Sequence, residues 1–225
     1  VEDSTGAKAS HVKLIRAASI GSYSWNGSGV YGINDWTSTT RSLRATLNEG
    51  PYWNRTSGTC YEYDSSAISA TSTTCNFSST GLTDSAKTQI SNIKWNLGGH
   101  STNDAPASTF YTAERGTTVY SGRPTEWTGY VGLMYPSDYG YAVGGSNRSS
   151  CLTTTLDSYS TSCASSDWLK LGSIEWTLSP YSDGSYTVFY VSSDGSLNRT
   201  NARNANAVRP VVYLNSDIKK TGGSG

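Results

Sequence analysis

The sequence predicts an α+β fold in a single domain covering residues 1–225, with two helices early and a strand-rich, loop-rich second half. Three observations predict it. Helical periodicity occurs only before residue 100, and short apolar runs broken by Gly, Pro and Asn fill the rest. No repeat of fixed period divides the chain, and its 225 residues are enough to bury a core.

His11-Val-Lys-Leu-Ile-Arg16 alternates as a strand does, and a Gly/Ser/Trp loop with Trp25 and Tyr31 follows. The first helix is expected over Trp36–Glu49, where Trp36, Leu43 and Leu47 fall near one face. Thr37 or Ser38 caps its start and Gly50-Pro51 stops it. The second is expected from the N-cap Thr83, with Asp84 in the first turn. Ala86, Ile90, Ile93 and Leu97 recur at i, i+4, i+7 and i+11 before Gly98-Gly99 ends the run. Strands are then expected at Thr117–Tyr120, Tyr130–Met134, Trp176–Leu178, Tyr186–Val191 and Val208–Leu214, with one helical turn near Ser137–Tyr141. Asp194-Gly195 between two strand-like runs is a hairpin signal. Arg209 lies in an apolar run and needs a partner there, while Pro210 marks an edge or a bulge.

Composition narrows the function classes. Seventeen basic residues balance 17 acidic ones and no basic block occurs, so nucleic acid is not an expected partner. Polybasic or long amphipathic stretches are missing too, so no direct membrane contact is expected. Seven Trp and 16 Tyr exceed what a disordered Ser/Thr-rich linker carries. They build either the core of a β-rich domain or a Tyr-rich contact surface.

Four cysteines form two local pairs, Cys60 with Cys75 and Cys151 with Cys163. Three pairings are possible in principle, and the two short polar loops suit the local one. Each bridge then contributes about 3 kcal/mol. Zinc is the competing reading, but no CxxC occurs and His11 and His100 lie far from either pair. Four unpaired thiols are the plain alternative. Disulfides imply an oxidising, extracellular compartment. Val1–Ser10 is small and polar, so any targeting or anchoring segment is expected upstream of it. Lys219–Gly225 reads as a cut inside a longer protein, and the five glycosylation-type sequons are what so Asn- and Ser-rich a chain yields by chance.

The search for chemistry returns little. His11 and His100 read as structural, and no GxSxG, HExxH, P-loop or calcium loop is present. A glycosidase-type acidic pair is set by space rather than sequence, and nothing favours any two of the sparse carboxylates. No catalytic residue, cofactor or metal is expected.

The C-terminal third carries the most distinctive pattern: Trp176-Thr-Leu-Ser-Pro180, the hairpin at Tyr190-Val-Ser-Ser-Asp-Gly195, and Val208-Arg-Pro-Val-Val-Tyr-Leu214. It resembles the closing part of C-type-lectin-like domains in bacterial surface proteins, some related to variable proteins of diversity-generating retroelements. His11–Arg16, Gly32-Ile-Asn-Asp-Trp36, Glu114–Tyr120 and Val131–Tyr141 resemble stretches of prepilin-type surface proteins from gut Firmicutes. The resemblance therefore covers most of the chain. It implies neighbouring termini and a twisted antiparallel sheet holding up a loop-built binding face. Carried over, that face uses Tyr181, Asp183, Tyr186, Tyr190, Asn198, Arg199, Asn201, Arg203 and Asn204, exposed together on one surface. Tyr and Arg supply anchors there, and Asn and Ser adaptable hydrogen bonds. The implied function is ligand binding or adhesion at a bacterial cell surface or pilus, toward a protein or glycan. A filament subunit, with neighbours held through an upstream segment, and an enzyme with an unrecognised acidic pair are the alternatives. The Glu-Pro-Asn, Gln-Pro-Asp and Trp-Asn-Asp motifs of calcium lectins are absent, and the cysteines are not placed like the reactive pair of formylglycine-generating enzymes.

Overall fold

A computed structural model describes residues 1–159 and 162–218, so the expected cut at 219–225 lies outside the described residues. In chain order come β1 (Lys13–Ile15), β2 (Ser22–Ser24), α1 (Leu43–Asn48), α2 (Pro51–Asn54), β3 (Ser57–Glu62), β4 (Thr71–Asn76), α3 (Asp84–Lys87), β5 (Ile93–Asn96) and α4 (Ala107–Glu114). There follow β6 (Glu126–Gly129), β7 (Val131–Gly132), α5 (Pro136–Tyr141), α6 (Arg148–Cys151), β8 (Glu175–Pro180), β9 (Thr187–Val191), β10 (Leu197–Asn201), β11 (Ala205–Ala207) and β12 (Val211–Tyr213). This is a mixed α+β architecture of short helices and several small sheets.

Two sheets organise it. One runs β10-β9-β8-β11-β2 and the other β1-β12-β7, while β3-β4 is a separate hairpin and β5-β6 a separate two-stranded ladder whose strands are joined through α4. Pairing is antiparallel except between β11 and β8. Each larger sheet joins the two ends of the described chain: β2 pairs with β11 and β1 with β12. Most tryptophans belong to the core. Trp25, Trp36, Trp95 and Trp176 are at most 2% exposed. The indole N–H groups of Trp25, Trp95 and Trp176 donate to the carbonyls of Thr177, Gly129 and Tyr23 at 2.8–3.0 Å, which removes the penalty of burying a donor.

Both disulfides form as the spacing predicts, Cys60–Cys75 and Cys151–Cys163. Arg209 finds its partner. Its Nε and Nη2 donate to the Glu175 carboxylate at 2.6 and 2.7 Å, and Nη2 also donates to the Leu169 carbonyl. Both side chains are at least 95% buried. Val211–Tyr213 is the central strand of its sheet, though Val208 lies before it and Leu214 beyond.

The helices depart from expectation. There are six short α-helices among the described residues rather than two. The first expected helix is helical only over α1, because 36–42 form turns. In the second, Thr83 does cap, accepting from the Ala86 N–H at 3.1 Å, but α3 lasts a single turn. Ile93, Trp95 and Leu97 are buried alternately, and Ile93–Asn96 pairs with β6, so the period-two pattern prevails over the i, i+4 one. α4 was not expected at all: its inward face is Ala107, Phe110 and Glu114, and the glutamate hides the apolar stripe. Thr117–Tyr120 is loop, and α5 occupies the expected turn near Ser137. None of the described helices is long and apolar enough to cross a membrane.

Candidate binding surface

The β9–β10 hairpin is the frame on which the expected face was to stand. Gly195 closes it with φ +99°, and a Cβ there would lie 2.3 Å from the Ala164 Cβ, so only glycine fits. The Tyr139 hydroxyl donates to the Gly195 carbonyl at 2.8 Å and fixes the turn from beneath. The Asp194 carboxylate accepts from the Ser196 N–H and hydroxyl, which holds its pKa below the ordinary value.

Register then assigns the side chains. Arg199 faces Phe189 and Asn201 faces Thr187, whereas Asn198 faces Tyr190 and Thr200 faces Val188. Successive residues point to opposite sides, so these pairs stand on two faces of the sheet. On one, Arg199 lies 4.5 Å over the Tyr181 ring and donates to Asn103 Oδ1, and Tyr181 and Phe110 both pack edge-on against Phe189. On the other, Tyr190 is half-buried against Trp176. The nine residues therefore do not share one exposed surface. Asp183, Tyr186, Asn198 and Arg199 are exposed, Tyr181, Tyr190, Asn201 and Asn204 are intermediate, and Arg203 is 91% buried. The expectation failed because hairpin alternation divides neighbours that sequence proximity puts together.

A different surface gathers part of the set. Beyond β10 the chain folds back, the Ala202 N–H donating to the Tyr186 carbonyl at 2.8 Å. The Tyr186 ring stacks at 4.9 Å on Tyr31, which arrives on the loop between β2 and α1. Arg203 reaches beneath a third loop. Its Nη1 donates to the carbonyls of Ala67 and Ile68 at 2.6 and 3.1 Å, and its guanidinium sits 4.9 Å from the Tyr63 ring. Its N–H donates to the Tyr31 carbonyl and its carbonyl accepts from the Ser24 hydroxyl. Arg203 is thus a peg, not an exposed anchor.

The first loop is tied to the third as well. Gly29 N–H donates to Ser69 Oγ at 3.0 Å, and Ala70 N–H to the Gly27 carbonyl at 2.9 Å. Gly32, at φ +81°, crosses so close to the Arg203 backbone that a Cβ would lie 2.5 Å from its nitrogen. In the third loop, the Ser66 hydroxyl and N–H hold the Asp64 pKa below the ordinary value. The result is an exposed patch of Val30, Tyr31, Tyr63, Ile68 and Tyr186, 38–74% exposed, on loops pinned by one buried arginine. Tyr186 was expected in such a surface. The other four were not, and only the Gly-rich setting of Tyr31 and the polar loop around Tyr63 mark them in the sequence.

Other polar groups are engaged in the fold. Ring nitrogen Nδ1 of His11 lies 2.6 Å from the Leu214 carbonyl, and that of His100 lies 2.9 Å from the Thr102 carbonyl. Burial raises the pKa of Glu114 to about 8 against two hydrogen bonds from Ser137. Burial also raises Asp167 to about 7, opposed by the Leu169 N–H and the Tyr159 hydroxyl. Among the described residues, no three His, Cys, Asp or Glu side chains converge as a metal site would need.

A family described as a domain of unknown function, DUF6273, matches residues 146–216. The matched stretch carries the second disulfide, the β8-β9-β10 hairpins, Arg203 and the Arg209 strand region. No curated protein and no solved structure matches the chain.

Proposed function

We propose that this chain is a non-catalytic ligand-binding or adhesion domain of a bacterial cell-surface or pilus-associated protein, with a C-type-lectin-like fold. The observation that carries it is the exposed patch of Tyr31, Tyr63, Ile68 and Tyr186 built by three loops around Arg203. Isolated exposed apolar residues need no explanation, but the Tyr31–Tyr186 ring pair, with Tyr63 and Ile68 on a loop tied to it through Arg203, has the make-up of a contact surface. Its loops are held before a ligand arrives, which lowers the entropy lost on binding. Two disulfides fit an extracellular protein. Support for the fold reading is the pairing of β1 with β12 and a hairpin-built sheet beneath the loops. The ligand is a protein or a glycan and no cofactor takes part.

The test is an array of proteins and glycans probed with the domain and with the Tyr31→Ala/Tyr186→Ala double variant. The expected result is a ligand that the wild type retains and the variant loses, with a melting temperature lowered by less than about 3 °C. A ligand bound equally by both proteins would place recognition elsewhere.

A further inference from the structure

A second site lies apart from the loop patch. Between β1, α4, α5 and the segment Trp168-Leu169 is a pocket of about 310 Å³. Its inner wall is aliphatic: Ile15, Met134, Ala142, Leu169 and Val211. Tyr111, Tyr141 and Trp168 stand at its mouth, 46, 39 and 71% exposed. The Tyr111 and Tyr141 rings meet edge to face at 6.2 Å, and the Arg115 guanidinium stacks 3.5 Å behind Tyr111, holding that wall. A tryptophan left this exposed beside an aliphatic hollow is not explained by the fold.

Ser137 also lines the pocket, but its hydroxyl donates to Glu114; the polar feature left to a ligand is an ion pair. Lys13 Nζ donates to Asp138 Oδ2, the oxygen that also accepts from the Tyr135 N–H as part of the α5 cap. Asp138 Oδ1 takes neither bond, and both side chains are about a quarter exposed. The pocket therefore presents a donor and an acceptor side by side, with formal charges that cancel. That pairing narrows the ligand. A carboxylate meets Asp138 and an ammonium meets Lys13, so a charged head is disfavoured whichever its sign. A sugar's several hydroxyls would be stranded against Ile15, Met134 and Val211. A single hydroxyl is both donor and acceptor and satisfies the pair at once.

We propose that this pocket binds a phenol, its ring among Tyr111, Tyr141, Trp168 and Met134 and its hydroxyl on Lys13 and Asp138. The ring comes either from a free small molecule or from a tyrosine of another chain.

Met134 is the one methionine of the sequence, so its methyl resonance reports on this pocket alone. The full chain, isotopically labelled at that methyl, is titrated with 4-methylphenol, toluene, benzoate, benzylamine, a methyl glucoside and N-acetyl-tyrosinamide. A saturable shift is expected with 4-methylphenol and about tenfold weaker binding of toluene, as for one lost hydrogen bond to a charged group. Lys13→Met should abolish that preference while toluene still binds. N-acetyl-tyrosinamide binding as well as 4-methylphenol identifies a tyrosine side chain as the source; its exclusion identifies a free phenol. No shift with 4-methylphenol up to about 10 mM, a range covering weak specific binding, overturns the proposal. So does equal binding of toluene, or a shift with the glucoside, benzoate or benzylamine that matches the phenol. The loop patch plays no part in this readout, so the two sites stand or fall separately.

Discussion

At the scale of single residues, the buried charges decide most. Arg209 was legible as a residue in need of a partner, because a guanidinium in an apolar run demands one. Glu175 was not legible as that partner, since 34 residues separate them and only the fold brings them together. Replacing Arg209 with Ala leaves Glu175 buried without its counter-charge, and its pKa, already raised by burial, should climb further. Arg209→Ala should cost about 3–5 kcal/mol against less than about 0.5 for the exposed control Lys8→Ala, read from denaturant unfolding. Glu114 gives a pH signature. Its folded pKa of about 8 exceeds the ordinary 4.5, so the folded chain holds this proton where the unfolded chain has released it. Its stabilising contribution is complete below the unfolded value and is lost as pH rises toward about 8, by about 1.4 kcal/mol per pH unit at most. Glu114→Gln should reduce that slope to the part that Asp167 contributes and melt above the wild type at alkaline pH; melts with unchanged slope would refute the assignment.

At the scale of elements, short-range chemistry was readable where the local sequence alone sets geometry. Thr83 capping and the Asp194-Gly195 turn are of this kind, and so are the two disulfide loops. The failures lie where tertiary pairing outranks local pattern: β5 was hidden inside a helix-like spacing, and α4 behind a buried glutamate. The binding face failed at this scale too, because strand alternation sends Asn198 and Arg199 to opposite sides. Tyr31, Tyr63 and Ile68 came from loops whose meeting no local rule encodes. The Gly195 turn offers a measurable consequence. Gly195→Ala suffers both a left-handed φ and a clash with Ala164, whereas Gly122, at φ +79°, has open space around it. Gly195→Ala should therefore destabilise by about 3 kcal/mol and Gly122→Ala by about 1, compared by thermal melts. Equal costs would mean that the turn moves to make room.

At the scale of the whole molecule, the two larger sheets are closed by strands from opposite ends of the described chain. The family match over residues 146–216 covers β8 to β12 but omits β1, β2 and β7, the neighbours that β11 and β12 need. A fragment of residues 146–216 should thus show no cooperative melt by circular dichroism and should be cut rapidly by protease. A cooperative transition would show that this stretch is a domain in its own right. The same topology has a mechanical side. Val12 accepts from the Leu214 N–H, Lys13 faces Tyr213, and the ladder continues to Arg16, whose N–H donates to the Pro210 carbonyl. The strands run antiparallel, so both leave the ladder at its 12/214 end. A pull that draws those two points apart strains the hydrogen bonds one after another, like the teeth of a zipper, rather than all together. Tension entering at residue 12 and leaving through a ligand held at Tyr31 would still load that seam, because β1 lies on the chain between the two points, and would load the antiparallel pairing of β2 with β11 as well.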